Sequence, residues 1–185
     1  MSVSDMDPEA TIASGREIKV WDPIVRLFHW TVVTGCILNL TLFEDGKQVH
    51  RAIGYAVAAA LFIRLVWGLI GTRHARFSDF VPKPMTLVRY VKALLTGEEP
   101  RYIGHNPAGA LMMIALMGLL AGVSLTGWMM TLDAFFGDDT LQEVHEMFAN
   151  AILLMAGLHA AAALFESWRH RENLVWSMVT GRKRA

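Results

Sequence analysis

Two histidines, His145 and His159, stand fourteen residues apart in VHEMFANAILLMAGLHAAAALF, residues 144–165, a stretch almost free of charge. Imidazole is the side chain best suited to ligate a metal or exchange a proton near neutral pH. On a helix the two rings lie roughly 21 Å apart along the axis and point within some 40° of one direction. His50 stands level with His145 at the start of an earlier apolar stretch, and His29 stands level with His159 near the start of the first. The chain therefore supplies two facing pairs at two depths.

No single ion can be shared over that distance, so each pair must serve its own centre. Haem iron suits the pattern: two neutral imidazoles from different helices fill both axial positions while the flat, apolar macrocycle occupies the bundle interior. Small neighbours leave room for it, with Ala149 four residues after His145, Ala156 three before and Ala163 four after His159, and Gly54 four after His50. Small residues serve ordinary helix packing as well. A lone histidine at a helix end is more often a cap or an interfacial residue, and the level pairing of four is what argues for ligation.

The elements that must hold these side chains follow from composition. Hydrophobic residues make up 54% of the 185, and mean hydropathy is +0.35, high for a soluble domain. Four stretches, about 24–43, 52–70, 107–130 and 147–165, approach or exceed the ~20 apolar residues that cross a hydrocarbon core. The expected fold is all-α, an integral membrane four-helix up-and-down bundle. Cys36 is the sole cysteine, which leaves no intramolecular disulfide and no Cys-x-x-Cys-His haem attachment, and it reads as a small packing residue. Formal net charge is zero, giving no reason to expect a nucleic-acid partner.

Charge distribution sets the expected orientation. The two short connections, EDGKQVHR and LDAFFGDDTLQEVHEM, hold seven acids and only Lys47 and Arg51 as bases, while the other side holds fifteen of the seventeen Lys and Arg residues. Cytoplasmic loops carry such an excess, so both termini are expected inside, in a multi-pass protein of the bacterial cytoplasmic membrane. Trp21, Trp30, Trp67, Trp168 and Trp176 fall near the inner boundary and Trp128 near the outer one, as interfacial anchors. Residues 1–17 read as a polar lead, 18–178 as the transmembrane domain and 179–185 as a basic tail. Within the long inner connection, MTLVRYVKALL has the spacing of an amphipathic helix lying along the lipid surface.

The motifs RLFHW, HRAIGY, RLVWG, GHNPAGA and VHEMFANAILLMAGLHAAAALFESWRHREN together resemble the bacterial cytochrome b561 and nickel-iron hydrogenase cytochrome b family over about residues 18–178. The resemblance implies a membrane cytochrome with two b haems that passes electrons between quinone and a partner or small acceptor. By motif it carries the ligand role onto His29, His50, His145 and His159. Hydrogenase subunits of this family often have a further span. With four, the chain is closer to the compact b561 form, which disfavours a hydrogenase partner.

Other polar residues divide between cofactor support and topology. Arg64, fourteen residues after His50, faces the same side at inner depth, where a charge is costly unless paired. A haem propionate is its natural partner, with snorkelling the plain alternative. Arg51 is placed to serve an outer propionate in the same way, and His105 in GHNPAGA to meet a propionate or quinone, although Asn106 and Pro107 beside it also make an ordinary helix start. His74 and His170 lie among arginines and read as solvated topology signals. The acidic outer face favours a basic or dipolar redox protein, such as a periplasmic c-type cytochrome, over superoxide, whose oxidation by a superoxide:quinone oxidoreductase of the b561 type the resemblance leaves as the alternative. A histidine-lined metal or proton transporter is the alternative class, but the spans lack the mid-membrane carboxylates such pathways use. A plain membrane anchor is the third.

Overall fold

Three of the four spans open on a side-chain cap that their own sequence provides. In the computed structural model, residues 17–42 and 48–184 are described; the polar lead through residue 16, the connection 43–47 with Lys47, and Ala185 lie outside the described residues. Helix α1, Pro23–Thr41, starts where Asp22 Oδ1 accepts from the Val25 N–H at 3.0 Å and a proline follows. Helix α2 spans Gln48–Ile70. Two short helices, α3 (Phe77–Phe80) and α4 (Pro84–Thr96), follow in the long connection. Helix α5, Pro107–Met129, is capped by Asn106, and α6, Asp139–Arg169, by Asp138.

The four expected spans match α1, α2, α5 and α6, with α2 and α6 longer than anticipated. At 31 residues, α6 measures about 46 Å against a hydrocarbon core of about 30 Å, so its polar ends stay helical beyond the lipid. Large apolar side chains such as Phe62, Leu69 and Leu154 face outward, as in a bundle whose solvent is lipid. Close backbone packing joins α1 to α2, α2 to α5 and α5 to α6. At mid-bundle the buried core is Val57, Leu61, Met117, Leu120 and Ile152, with Phe28, Val32 and Cys36 packed against it. The cysteine is thus a packing residue.

A second apolar cluster lies at the end where the termini meet. Strand β1 (Glu17–Lys19) pairs antiparallel with β2 (Arg182–Arg184), which follows the short helix α7 (Leu174–Thr180). Both ends of the described chain therefore sit on one face, called here the termini end; the opposite face is the loop end. Gly181, at φ 80°, turns the chain from α7 into β2, and its carbonyl accepts from the N–H groups of Val20 and Trp21. A side chain at that position would be strained and would press on the Trp21 carbonyl.

Two tryptophans expected as lipid anchors take other roles here. Trp21 is buried, its indole N–H donating to Ser177 Oγ at 3.2 Å, and Trp67 donates to Asp22 Oδ2 at 2.8 Å. Each satisfies a polar atom inside the protein, which an interfacial ring does with water. Trp168 and Trp176 remain exposed. Helix α4 turns Tyr90 inward and leaves Met85, Val88, Val91 and Leu95 outside, beside Lys83, Arg89 and Lys92. That pattern fits a helix lying on a lipid surface.

Candidate functional site

At the loop end, His50 near the start of α2 and His145 in the second turn of α6 face one another. Their ring centroids are 6.3 Å apart, with the planes inclined by 61°. Two metal–nitrogen bonds of about 2.0–2.1 Å each, with the half-width of each ring added, span such a gap. Thr126 on α5 sets which nitrogen is left for it. Its hydroxyl donates to the Gly122 or Val123 carbonyl (2.9 and 3.1 Å) and so accepts from His145 Nδ1–H at 2.9 Å. The lone pair then sits on Nε2, the arrangement that outer hydrogen bonds impose on ligating histidines.

Glycine makes the approach feasible. A Cβ on Gly127 would lie 3.0 Å from His145 Cε1, so the ring rests against bare backbone there. Beside Gly54, one turn along α2 from His50, a Cβ would meet nothing within 4 Å. There is space where a flat group would lie. Thr126 escaped the sequence reading because a hydroxyl in a span commonly bonds to its own preceding turn, as this one also does.

At the termini end, His29 on α1 and His159 on α6 lie within electrostatic reach of one another. His29 keeps a buried Nδ1 with no hydrogen-bond partner among the described residues. Arg64 is wholly buried at 0% exposure, and among the described residues its Nε, Nη1 and Nη2 have no hydrogen-bond partner. Snorkelling is therefore ruled out: the guanidinium does not reach the interface, and only the Phe77 ring lies over it, 5.2 Å from centroid to Cζ. A buried permanent cation with three idle donors is costly unless it meets an anion.

His105 packs edge-on to Trp21 at 4.7 Å and against Phe80 at 4.9 Å. Burial, with the charges of Arg64 and Lys183, pushes its imidazole down to about 3, so it is neutral at physiological pH. It lines a pocket of ≈ 210 Å³ with Arg73, His74, Asp79, Phe80, Tyr102 and Gly104. His74 is thus a pocket wall, and His170 pairs with Glu166 at 3.0 Å; neither is simply solvated. Arg51, by contrast, is exposed beside His50.

Around this pocket the connection and the C-terminal segment are clamped by charge. Arg101 holds Glu172 and the Arg184 carbonyl, Arg169 pairs with Glu99, and Tyr90 donates to Glu166 at 3.3 Å. Burial raises the Glu172 carboxyl, but bonds from the Arg184 N–H and Arg101, with the Lys183 charge, hold it below its ordinary value. Burial lowers Lys183 despite Glu172, and it raises the Tyr90 phenol further beside Glu166.

A helical membrane bundle with two histidines of different helices facing one another, one of them beside a neighbouring hydroxyl, suits a flat metal cofactor held between helices. The prokaryotic cytochrome b561 profile matches residues 20–181, and the chain belongs to that family. It is 26% identical to a probable Ni/Fe-hydrogenase B-type cytochrome subunit of Rhodobacter capsulatus, over 90% of this chain and 81% of that protein. Proteins of the same description from Cupriavidus necator and Azotobacter vinelandii are 24% and 25% identical, covering 94% and 97% of this chain and 91% and 94% of their own lengths. No solved structure matches. The protein is a membrane b-type cytochrome of electron transfer.

Proposed function

We propose that the chain holds two b haems, one ligated by His50 and His145 at the loop end and one by His29 and His159 at the termini end, and relays electrons between quinone and a redox partner across the cytoplasmic membrane. The observation that carries this reading is the 6.3 Å separation of the His50 and His145 rings, with Thr126 Oγ1 2.9 Å from His145 Nδ1. When bound, each haem supplies a one-electron centre that needs no acid, base or nucleophile from the protein. The protein's part is positional and electrostatic. His50 and His145 present ring nitrogens across a gap sized for one ion, Arg64 offers the N–H groups of three nitrogens to a carboxylate of the cofactor, and the apolar mid-bundle core around Leu61 and Leu120 excludes water between the centres.

The pocket of His105, Tyr102 and Arg73 lies beside the termini-end pair and is the place on this chain suited to a quinone head. Its neutral His105 presents a ring that can give or take one hydrogen bond without charge. With fifteen of seventeen bases on that side, the termini end is placed in the cytoplasm and the loop end outside.

At the loop end we favour a redox protein over a small anion, because Asp138, Asp139, Glu143 and Glu146 are exposed around the start of α6. The relatives' descriptions as hydrogenase cytochrome subunits favour a hydrogenase as that partner, against the expectation from span number alone. The test is the absorption spectrum of the purified full chain with pyridine haemochrome quantitation. Two b haems per chain, with Soret and α bands, are expected; a colourless folded protein sinks the reading.

A further inference from the structure

The buried charge of Arg64 has a counterpart that the ligand set does not account for. Asp22 is buried at 6% exposure and accepts only from neutral donors: Thr72 Oγ1 at 2.6 Å, Trp67 Nε1 at 2.8 Å and the Val25 N–H at 3.0 Å. These bonds hold the carboxylate in place without cancelling its charge. Asp22 is the carboxylate that acts on Arg64 through space, and Arg64 in turn acts on His105, which lies within reach of His159. Asp22 caps α1 about two turns before His29, and Trp67, which bonds Asp22, stands three residues after Arg64 on α2, so cation and anion lie toward the same end of the bundle as His29, fixed by packing and screened from water.

An arginine cannot shed its proton in a protein, so this is a permanent positive charge. Each one-electron reduction at the neighbouring centre adds one negative charge and makes or breaks no bond. A buried cation favours that added charge, and a buried carboxylate opposes it; burial and surrounding charge are established levers on the potential of a haem. Among the described residues the loop end shows no buried cation: Arg51 is exposed, and the charged side chains described around His145 are acids. From this asymmetry we infer that Arg64 and Asp22 form an electrostatic tuning couple, Arg64 raising and Asp22 tempering the reduction potential of the termini-end centre, so that this centre holds its electron more tightly than the loop-end one.

The inference rests on the two-haem reading and is tested apart from it. Potentiometric titration of the full-length holoprotein, followed at the α band, should resolve two one-electron steps in the wild type, and His159→Ala identifies the termini-end step by its loss. Arg64→Gln should move that step down by about tenfold in the reduction equilibrium, about 59 mV for one electron, and leave the other step in place. Arg64→Lys, which keeps the charge, should stay near the wild type, and Asp22→Asn should move the step up. A step unmoved in Arg64→Gln at full haem content overturns the inference, as does Arg64→Lys behaving like Arg64→Gln. If Arg64→Gln fails to load haem, Asp22→Asn decides: an upward shift supports the couple, and an unchanged potential overturns it. Absence of haem bands in the wild type would instead sink the cofactor reading before any variant is made.

Discussion

The loop end and the termini end present the same two imidazoles in opposite settings. At the loop end His145 has a threonine behind it and glycine beneath it, close to exposed acids. At the termini end it lies beneath a cap of strand pairing, short helices and ion pairs, beside a buried cation. One end is built to be approached, and the other to be enclosed. The difference teaches that equal side chains need not make equal sites, because what surrounds them sets access and charge.

The most severe way to break the comparison is to remove one ligand from each end. His145→Ala should abolish the loop-end haem and His159→Ala the termini-end haem, each leaving about half the haem per chain by pyridine haemochrome assay. Full content in either variant removes that residue from the ligand set. Smaller and confined to the loop end is Thr126→Val, which keeps the shape but leaves His145 Nδ1 unpartnered. Loss of an outer-shell partner typically costs 10- to 100-fold in metal affinity. Haem release to a scavenging apoprotein should accelerate in that range for one of the two haems, and equal acceleration of both would dissolve the distinction between the ends.

The exposed acids sharpen the comparison through rate. Electron exchange with a basic redox protein such as cytochrome c should slow as salt rises, since the Debye length falls from about 10 Å at 0.1 M to about 3 Å at 1 M. Replacing Asp138, Asp139 and Glu143 by their amides should slow it several-fold at low salt, by stopped-flow, with Asn at 138 retaining the helix cap. A rate indifferent to both changes rules out steering at this face. The smallest effect belongs to the clamp. Glu172 has its folded value lowered below 4.5, so it contributes stability above that pH and loses it as acid protonates the folded carboxylate. The thermal midpoint of the holoprotein should fall below about pH 4.5 more steeply in the wild type than in Glu172→Gln, which lacks this dependence.

How much of this was legible in advance depended on range. The four spans and the meeting of His50 with His145 follow from hydropathy and helix rise, which are local and stiff. The packing of the half-buried Cys36 against the core and the amphipathic character of α4 follow for the same reason. The interior role of Trp67 and Trp21 does not, because their partners Asp22 and Ser177 lie 45 and 156 residues away. Arg51 and Arg64 looked alike as bases near histidines, yet one is exposed and the other wholly enclosed.

The amino-acid sequence by itself determined that this is a four-span helical bundle and that its imidazoles stand at two depths, because a helix converts spacing into position with little freedom. Only the tertiary structure decided that Thr126 on α5 meets His145, that β1 closes on β2, and that Arg64 is sealed from water near a carboxylate it does not touch. Each of those depends on where one helix stands against another. That placement is set by the collective packing of apolar faces and glycine contacts, and no single segment encodes it.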